Sequence, residues 1–286
     1  MSVEKLQEKI RRTKNPSVLD LSLRQELIPD SIMEATGDLC QAAEFYGKVL
    51  LQALKGIIPA VRISYGYYAL MGKDGLSAFH GLLDAAKSEG FYVFVDAISL
   101  YSEKQAASAA EFFLDLPCDG LIVSGYDGSD MLKPYAQKLK ETGKSLFVVL
   151  RSANKSASQL QDLMTGSRLV HIAAADTVNR MGEGLVGRSG YSQLGGVGAA
   201  NAADSLRTMR SKYKNLFLLV DGYDYANANA KNCSFAFDKL GHGAAVCACD
   251  TLAGAWKEEG SGEYAVCTVA AAERMKKNLT RYITVL

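Results

Sequence analysis

Short apolar runs of β-prone residues recur along this chain, each followed by a helical pattern, and that alternation restricts the class of fold. The clearest run is Phe91-Tyr-Val-Phe-Val95. It stops at Asp96 and turns helical after Glu103, with Ala106, Ala107, Ala109 and Ala110 leading to Phe112. A strand apolar at successive positions is buried on both faces, as in a parallel sheet covered by helices. Comparable runs fall at residues 17–21, 57–63, 118–124, 145–150, 194–200, 216–220 and 244–249. Helical patterns separate them, at 30–55 (interrupted at Gly37, with Asp30 as its cap), 75–87, 129–142, 169–181 and 203–213. Eight strands alternating with helices over about 250 residues predict a (β/α)8 barrel, the α/β class in which chemistry sits at the C-terminal ends of the strands. An open doubly wound sheet is disfavoured because no Gly-x-Gly-x-x-Gly follows the first strand. The expectation is one barrel domain over residues 1–286, with a charged N-terminal helix at about 3–12, broken by Lys14-Asn15-Pro16, and a closing helix at about 264–282.

Charge excludes several partners. A formal net charge of +1 with no basic block argues against nucleic acid and against an anionic membrane surface. The segment MSVEKLQEKIRR lacks the apolar core of a signal peptide, and no apolar run reaches the length of a membrane span, so the expected location is cytoplasmic. Six cysteines without Cys-x-x-Cys spacing read as reduced thiols.

Several motifs resemble one family. Val95-Asp96-Ala97, with an alanine ten residues after the aspartate, resembles the catalytic corner of the orotidine 5′-phosphate decarboxylase family. Lys14-Asn-Pro-Ser-Val resembles the start of its first strand. Gly125-Tyr-Asp-Gly-Ser-Asp130 with Lys133-Pro134 is similar to a stretch of its longer bacterial subfamily. Leu160-Gln-Asp-Leu, Gly190-Tyr-Ser, Leu206-Arg, Leu218-Leu-Val and the closing 241–246 with Ala255-Trp256 follow in the family's order. The resemblance runs from Lys14 to Trp256 and implies a barrel, a cofactor-independent carboxy-lyase and a homodimer.

At the ligand positions the resemblance breaks down. The family's Asp-x-Lys-x-x-Asp corner leaves Asp96 in place, but Ile98 stands at the lysine position and Tyr101 at the second aspartate, the residue that crosses to the neighbouring subunit. The ribose-contacting aspartate after the first strand falls on Ser22, or on Asp20 with a one-residue shift. The second strand's lysine corresponds to Arg62. The Thr-Ser-Asn after the fifth strand reads Ser152-Ala153-Asn154. The phosphate-cradling loop after the seventh strand reads Asp221-Gly-Tyr-Asp224-Tyr-Ala-Asn227, and the phosphate-binding arginine after the eighth is Asp250.

Physically, these changes remove the reaction's means. Ile98 carries no proton or charge, and an arginine with a pKa above ~12 is a poor acid near neutrality. Lys104, six residues on, lies on the helix side. Each carboxylate–phosphate charge pair at ~5 Å costs roughly 3 kcal/mol at an effective dielectric of ~20. The expected remnants of the site are therefore Asp96 and Arg62, with Ser22, Asn154, Asp224 and Asp250 as ligand-facing candidates and no metal or cofactor.

The acids Asp96, Asp221, Asp224 and Asp250 read either as an acidic pocket for a cation, an amine or a metal, or as helix caps. Cys247 and Cys249 share a strand face. With His242 they make an incomplete zinc set, and core packing is the plainer reading. His80 and His171 read as structural or solvated. Tyr65, Tyr67, Tyr68 and Tyr101 read as a loop cluster at the mouth: a binding platform, a plug or a dimer contact. Three functions stay open: a non-catalytic protein, as a homodimer or a heteromer with an active relative; a barrel repurposed for another small molecule at its mouth; or a working decarboxylase.

Overall fold

The computed structural model describes residues 1–98, 102–259 and 263–284. Eight parallel strands close a barrel, each paired with its sequence neighbours and the first with the last. They are Ser17–Asp20, Ala60–Ser64, Tyr92–Asp96, Gly120–Ser124, Ser145–Val149, Leu194–Ala199, Leu218–Asp221 and Ala244–Ala248. All eight expected strands are present, shifted by up to three residues at their ends.

Side-chain alternation divides the barrel into a dry lumen and a charged mouth. Residues two apart on a strand share a face. Val18, Ala60, Tyr92, Phe94, Ile122, Phe147, Val197, Phe217, Leu219, Ala245 and Cys247 pack together inside. Continuing the alternation to the C-terminal ends brings Asp20 above Val18, Arg62 above Ala60, Asp96 above Phe94 and Asp221 above Leu219. The strand register then sets Asp20 directly beside Arg62.

The small residues of the sixth strand have a packing reason. A Cβ at Gly195 would lie 2.6 Å from the Phe147 ring and 2.8 Å from the Phe217 carbonyl oxygen. One at Gly198 would meet Leu206 at 2.6 Å. The strand gives up side chains so that large aromatics fill the lumen and helix Ala203–Lys212 packs outside.

The N-terminal helix, α1 (Ser2–Thr13), closes the floor. Val3, Leu6 and Ile10 are buried in the lumen cluster. Its Ser2 hydroxyl lies 3.0 Å from the Tyr92 hydroxyl and 2.6 Å from the Asp119 carbonyl oxygen. The closing helix is Tyr264–Thr280, packed on Leu39–Leu54. The break expected at Gly37 separates Asp30–Thr36 from Leu39–Leu54, with Gly37 in the left-handed conformation (φ 65°). Not expected were a two-residue hairpin pairing Met164–Thr165 with Arg168–Leu169, and the short helices Ala230–Ser234, Asp250–Ala253 and Trp256–Glu259. Among the described residues no helix is long and apolar enough to cross a membrane.

Candidate functional site

The C-terminal end of the barrel opens into a cavity of about 550 Å³, lined by Asp20, Ser22, Arg24, Arg62, Asp221 and Asp224, with Tyr225, Cys249 and Asp250 among the others. Arg62 is its centre. One guanidinium nitrogen lies 2.6 Å from Asp20 and the other 3.0 Å from Asp221. Burial works against the charge on Arg62, but these two carboxylates hold its pKa well above the ordinary guanidinium value. Asp20 is 6% exposed and also accepts from the Ser22 amide (2.9 Å) and hydroxyl (2.8 Å). Of the two positions the sequence left open, Asp20 therefore supplies the strand-end carboxylate, and Ser22 orients it while also lining the cavity.

Asp96 stands one strand over from Arg62 on the same lumen face, with Ser64 as its register partner. It accepts no hydrogen bond among the described residues. Burial pushes its pKa up from 3.8 to about 6; Arg62 opposes this, while Asp20 and Asp221 add to it. Burial of a carboxylate disfavours its charged form, which is the dominant cause here.

The other acids are engaged. Asp224 accepts from the backbone amides of Cys249 (2.6 Å), Asp250 (3.1 Å) and Thr251 (2.9 Å), and from the Thr251 hydroxyl. It caps the short helix Asp250–Ala253 from across a loop, so the capping alternative holds for this residue even though it also lines the mouth. Both oxygens of Asp250 accept from Nη2 of Arg24, at 2.7 and 2.9 Å, and Nε of Arg24 donates to Glu26 at 2.7 Å.

Two sequence expectations need correction. Asn154 is exposed at the start of the 3-10 turn Lys155–Gln159 and does not line the cavity. The segment bearing it is tied down elsewhere, by Arg151 gripping Asp162 at 2.8 Å with two nitrogens. Tyr65, Tyr67 and Tyr68 form no loop platform or plug. They lie in a helical turn, Tyr65–Ala69, capped by the Ser64 hydroxyl. The Tyr68 hydroxyl donates to Leu21 and that of Tyr67 to Leu23, while Tyr65 packs edge-on to Phe79, Phe112 and Phe113. Tyr101 lies outside the described residues.

Ile98, 39% exposed, and Lys104 do not line the mouth. They line a separate open apolar groove with Tyr65, Ala109, Phe112 and Phe113. Cys247 and Cys249 are buried, and burial pushes both thiols well up, so they stay protonated. Among the described residues no group of His, Cys, Asp and Glu could hold a metal ion. His171 is buried, with Nδ1 against the Gln161 carbonyl oxygen (2.9 Å) and Asp162 (3.2 Å), while His80 is exposed beside Phe79. Arg24 is a charged residue of the mouth that sequence reasoning missed. Its only signal was its place in the loop after the first strand.

Comparison with known proteins gives one answer. The sequence model described as the orotidine 5′-phosphate decarboxylase / HUMPS family matches residues 60–232. A Clostridium kluyveri protein named orotidine 5′-phosphate decarboxylase is 26% identical over 288 residues, spanning 98% of each chain. One of the same name from Petrotoga mobilis is 24% identical over 267 residues, spanning 92% of each. In three dimensions the barrel is similar to the Leishmania donovani OMP decarboxylase (TM-score 0.76, 20% identity, 98% of each chain). It is also similar to the Plasmodium berghei orotidine 5′-monophosphate decarboxylase (TM-score 0.79, 14% identity, 98% and 99%).

Proposed function

Because this chain belongs to the orotidine 5′-phosphate decarboxylase / HUMPS family, we propose that it is a family barrel that no longer decarboxylates orotidine 5′-monophosphate and instead binds a different small molecule at its mouth. One observation carries this reading. Among the described residues, the cations lining the mouth are two arginines, each already bound by two carboxylates, and no lysine lines it. Decarboxylation leaves a carbanion that must receive a proton. A guanidinium held above its ordinary pKa is a poor donor near neutrality, and Asp96 beside it adds negative charge.

The phosphate end supports the same conclusion. The resemblance places a phosphate against the amides and cation of the seventh and eighth strand ends. Here the loop after the seventh strand carries the Asp224 carboxylate, which takes the amides of Cys249, Asp250 and Thr251, and Asp250, at the cation's position, takes the nearby Arg24. Ligand binding is favoured over a purely structural role because the mouth is an open cavity rather than one filled by tyrosines.

The test is decarboxylation of orotidine 5′-monophosphate, followed by ultraviolet absorbance at high protein concentration for hours. No turnover is expected. Turnover that disappears in Asp96→Ala would refute the reading. The barrel is also proposed to pair as a cytoplasmic homodimer, supported by the apolar groove around Ile98 and Phe112. A single-chain mass by light scattering would refute the pairing.

A further inference from the structure

A second open cavity, of about 330 Å³, lies at the end of the barrel opposite the mouth. It sits where the chain enters the second and third strands, beside α1. The Tyr92 amide donates to the Pro59 carbonyl oxygen there (3.0 Å), joining the two strand starts. The charged residues lining it are Lys9 and Arg12 of α1, Lys55 and Glu89. Three cations therefore face one carboxylate, the reverse of the balance at the mouth.

The chain neutralises only one of the three. Glu89 takes Lys55 at 2.8 Å. Lys9 donates to the Gly90 carbonyl oxygen at 2.6 Å, a neutral acceptor that occupies one of the three N–H groups of an ammonium. Arg12 has no hydrogen bond or ion pair among the described residues. Lys9 and Arg12 stand three residues apart on α1, so their side chains are neighbours on one face of the helix.

A basic residue in the last turn of a helix can serve the terminal carbonyls. At this helix end other groups do so. The Thr13 hydroxyl donates to the Lys9 and Ile10 carbonyl oxygens at 3.0 and 3.3 Å, and the Lys14 amide donates to Ile10. The Arg12 fork is left for the cavity. A guanidinium fork beside an ammonium with N–H groups to spare is the pairing that suits phosphate oxygens. Two unneutralised charges match a phosphate monoester, which carries nearly two negative charges near neutral pH, better than a single carboxylate. Ile58, Pro59 and Phe91 complete the lining with an apolar side.

We propose that this floor cavity binds a small organic phosphate monoester, with Arg12 and Lys9 holding the phosphate and Ile58, Pro59 and Phe91 packing against its organic part. The site is separate from the mouth, with which it shares no lining residue.

Calorimetric titration of the full chain with phenyl phosphate and with inorganic phosphate, at low salt and near neutral pH, tests this. Phenyl phosphate is expected to bind, and more tightly than inorganic phosphate. Its affinity is expected to fall about tenfold or more in Arg12→Gln and in Lys9→Gln. It should stay unchanged in Lys140→Gln, which removes the same charge from an exposed position of the helix after the fourth strand. Arg12 is exposed, so Arg12→Gln should melt at the wild-type temperature. Absence of phenyl phosphate binding, equal affinity in Arg12→Gln, an equal loss in Lys140→Gln, or inorganic phosphate binding as tightly as the ester would overturn the proposal. So would a loss in Arg24→Gln in place of Arg12→Gln, which would put the phosphate at the mouth. Turnover of orotidine 5′-monophosphate would refute the reading of the mouth and leave the floor site standing.

Discussion

Replacing Asp96 with asparagine is expected to make this protein more stable, by an amount that depends on pH. The carboxyl group has a pKa of about 6 in the folded chain, against 3.8 ordinarily, mainly because it is buried. A carboxyl whose pKa rises on folding binds its proton more tightly in the native state. Its ionisation therefore lowers stability, beginning as pH passes 3.8 and complete once pH exceeds about 6. At ~1.4 kcal/mol per pH unit, the full loss is roughly 3 kcal/mol. Asparagine matches the neutral acid in shape and does not ionise. The Asn variant should match the wild type near pH 4, gain roughly 1.5 kcal/mol at pH 5 and gain roughly 3 kcal/mol at pH 7.5. Urea unfolding of both proteins at the three pH values, read from the midpoint at constant slope, measures the gain. A variant no more stable than wild type at pH 7.5, or one with the same difference at pH 5 and 7.5, would refute the reasoning. The result bears on function as well. An acid kept ionised at a cost to stability, while its neighbours are all paired, is what a site built for a ligand requires.

Two further outcomes follow from the same geometry. Arg62→Met removes the cation between Asp20 and Asp221, whose side chains are 8% and 31% exposed, and should destabilise the fold by about 3–5 kcal/mol near neutral pH. The deficit should shrink as pH falls and the stranded carboxylates take up protons; urea midpoints that do not converge toward low pH would contradict it. Phe112→Asp places a charge in the apolar groove beside Ile98 and Tyr65 and should convert the proposed dimer to single chains in light scattering, with the melting temperature little changed because Phe112 is 46% exposed.

The barrel was legible because its signal is local. Each strand announces itself by an apolar run and most helices by their period, and closure follows from having eight strands in one such alternation. Alternation also carries part of the site: once Phe94 faces the lumen, Asp96 must, and the register that pairs Asp20 with Arg62 follows from two parallel strands. What could not be read depends on loops. Arg24 meets Asp250 across 226 positions of sequence, and no periodicity reports such a contact. Asp224 turns toward the amides of the next strand's end because Gly222, at φ 77°, takes a left-handed turn that few other residues adopt, and the tyrosines after the second strand became a helical turn because the Ser64 hydroxyl caps it.

The same division explains how a family fold can change its ligand without changing its shape. The lumen below the mouth is packed by residues that answer only to volume, down to Gly195 yielding space to Phe147. The layer above it is set by a handful of strand-end side chains whose charges are balanced among themselves. Where an ammonium would have to stand among carboxylates to serve as an acid, this chain has a guanidinium locked by two of them. Where an anion would need a cation, an aspartate stands instead, paired with Arg24. Each exchange is neutral to the fold because the new group is satisfied within the chain. Among the described residues Asp96 is the one strand-end acid of this layer with no hydrogen bond or ion pair, so its substitution tests most directly what that layer's charge does.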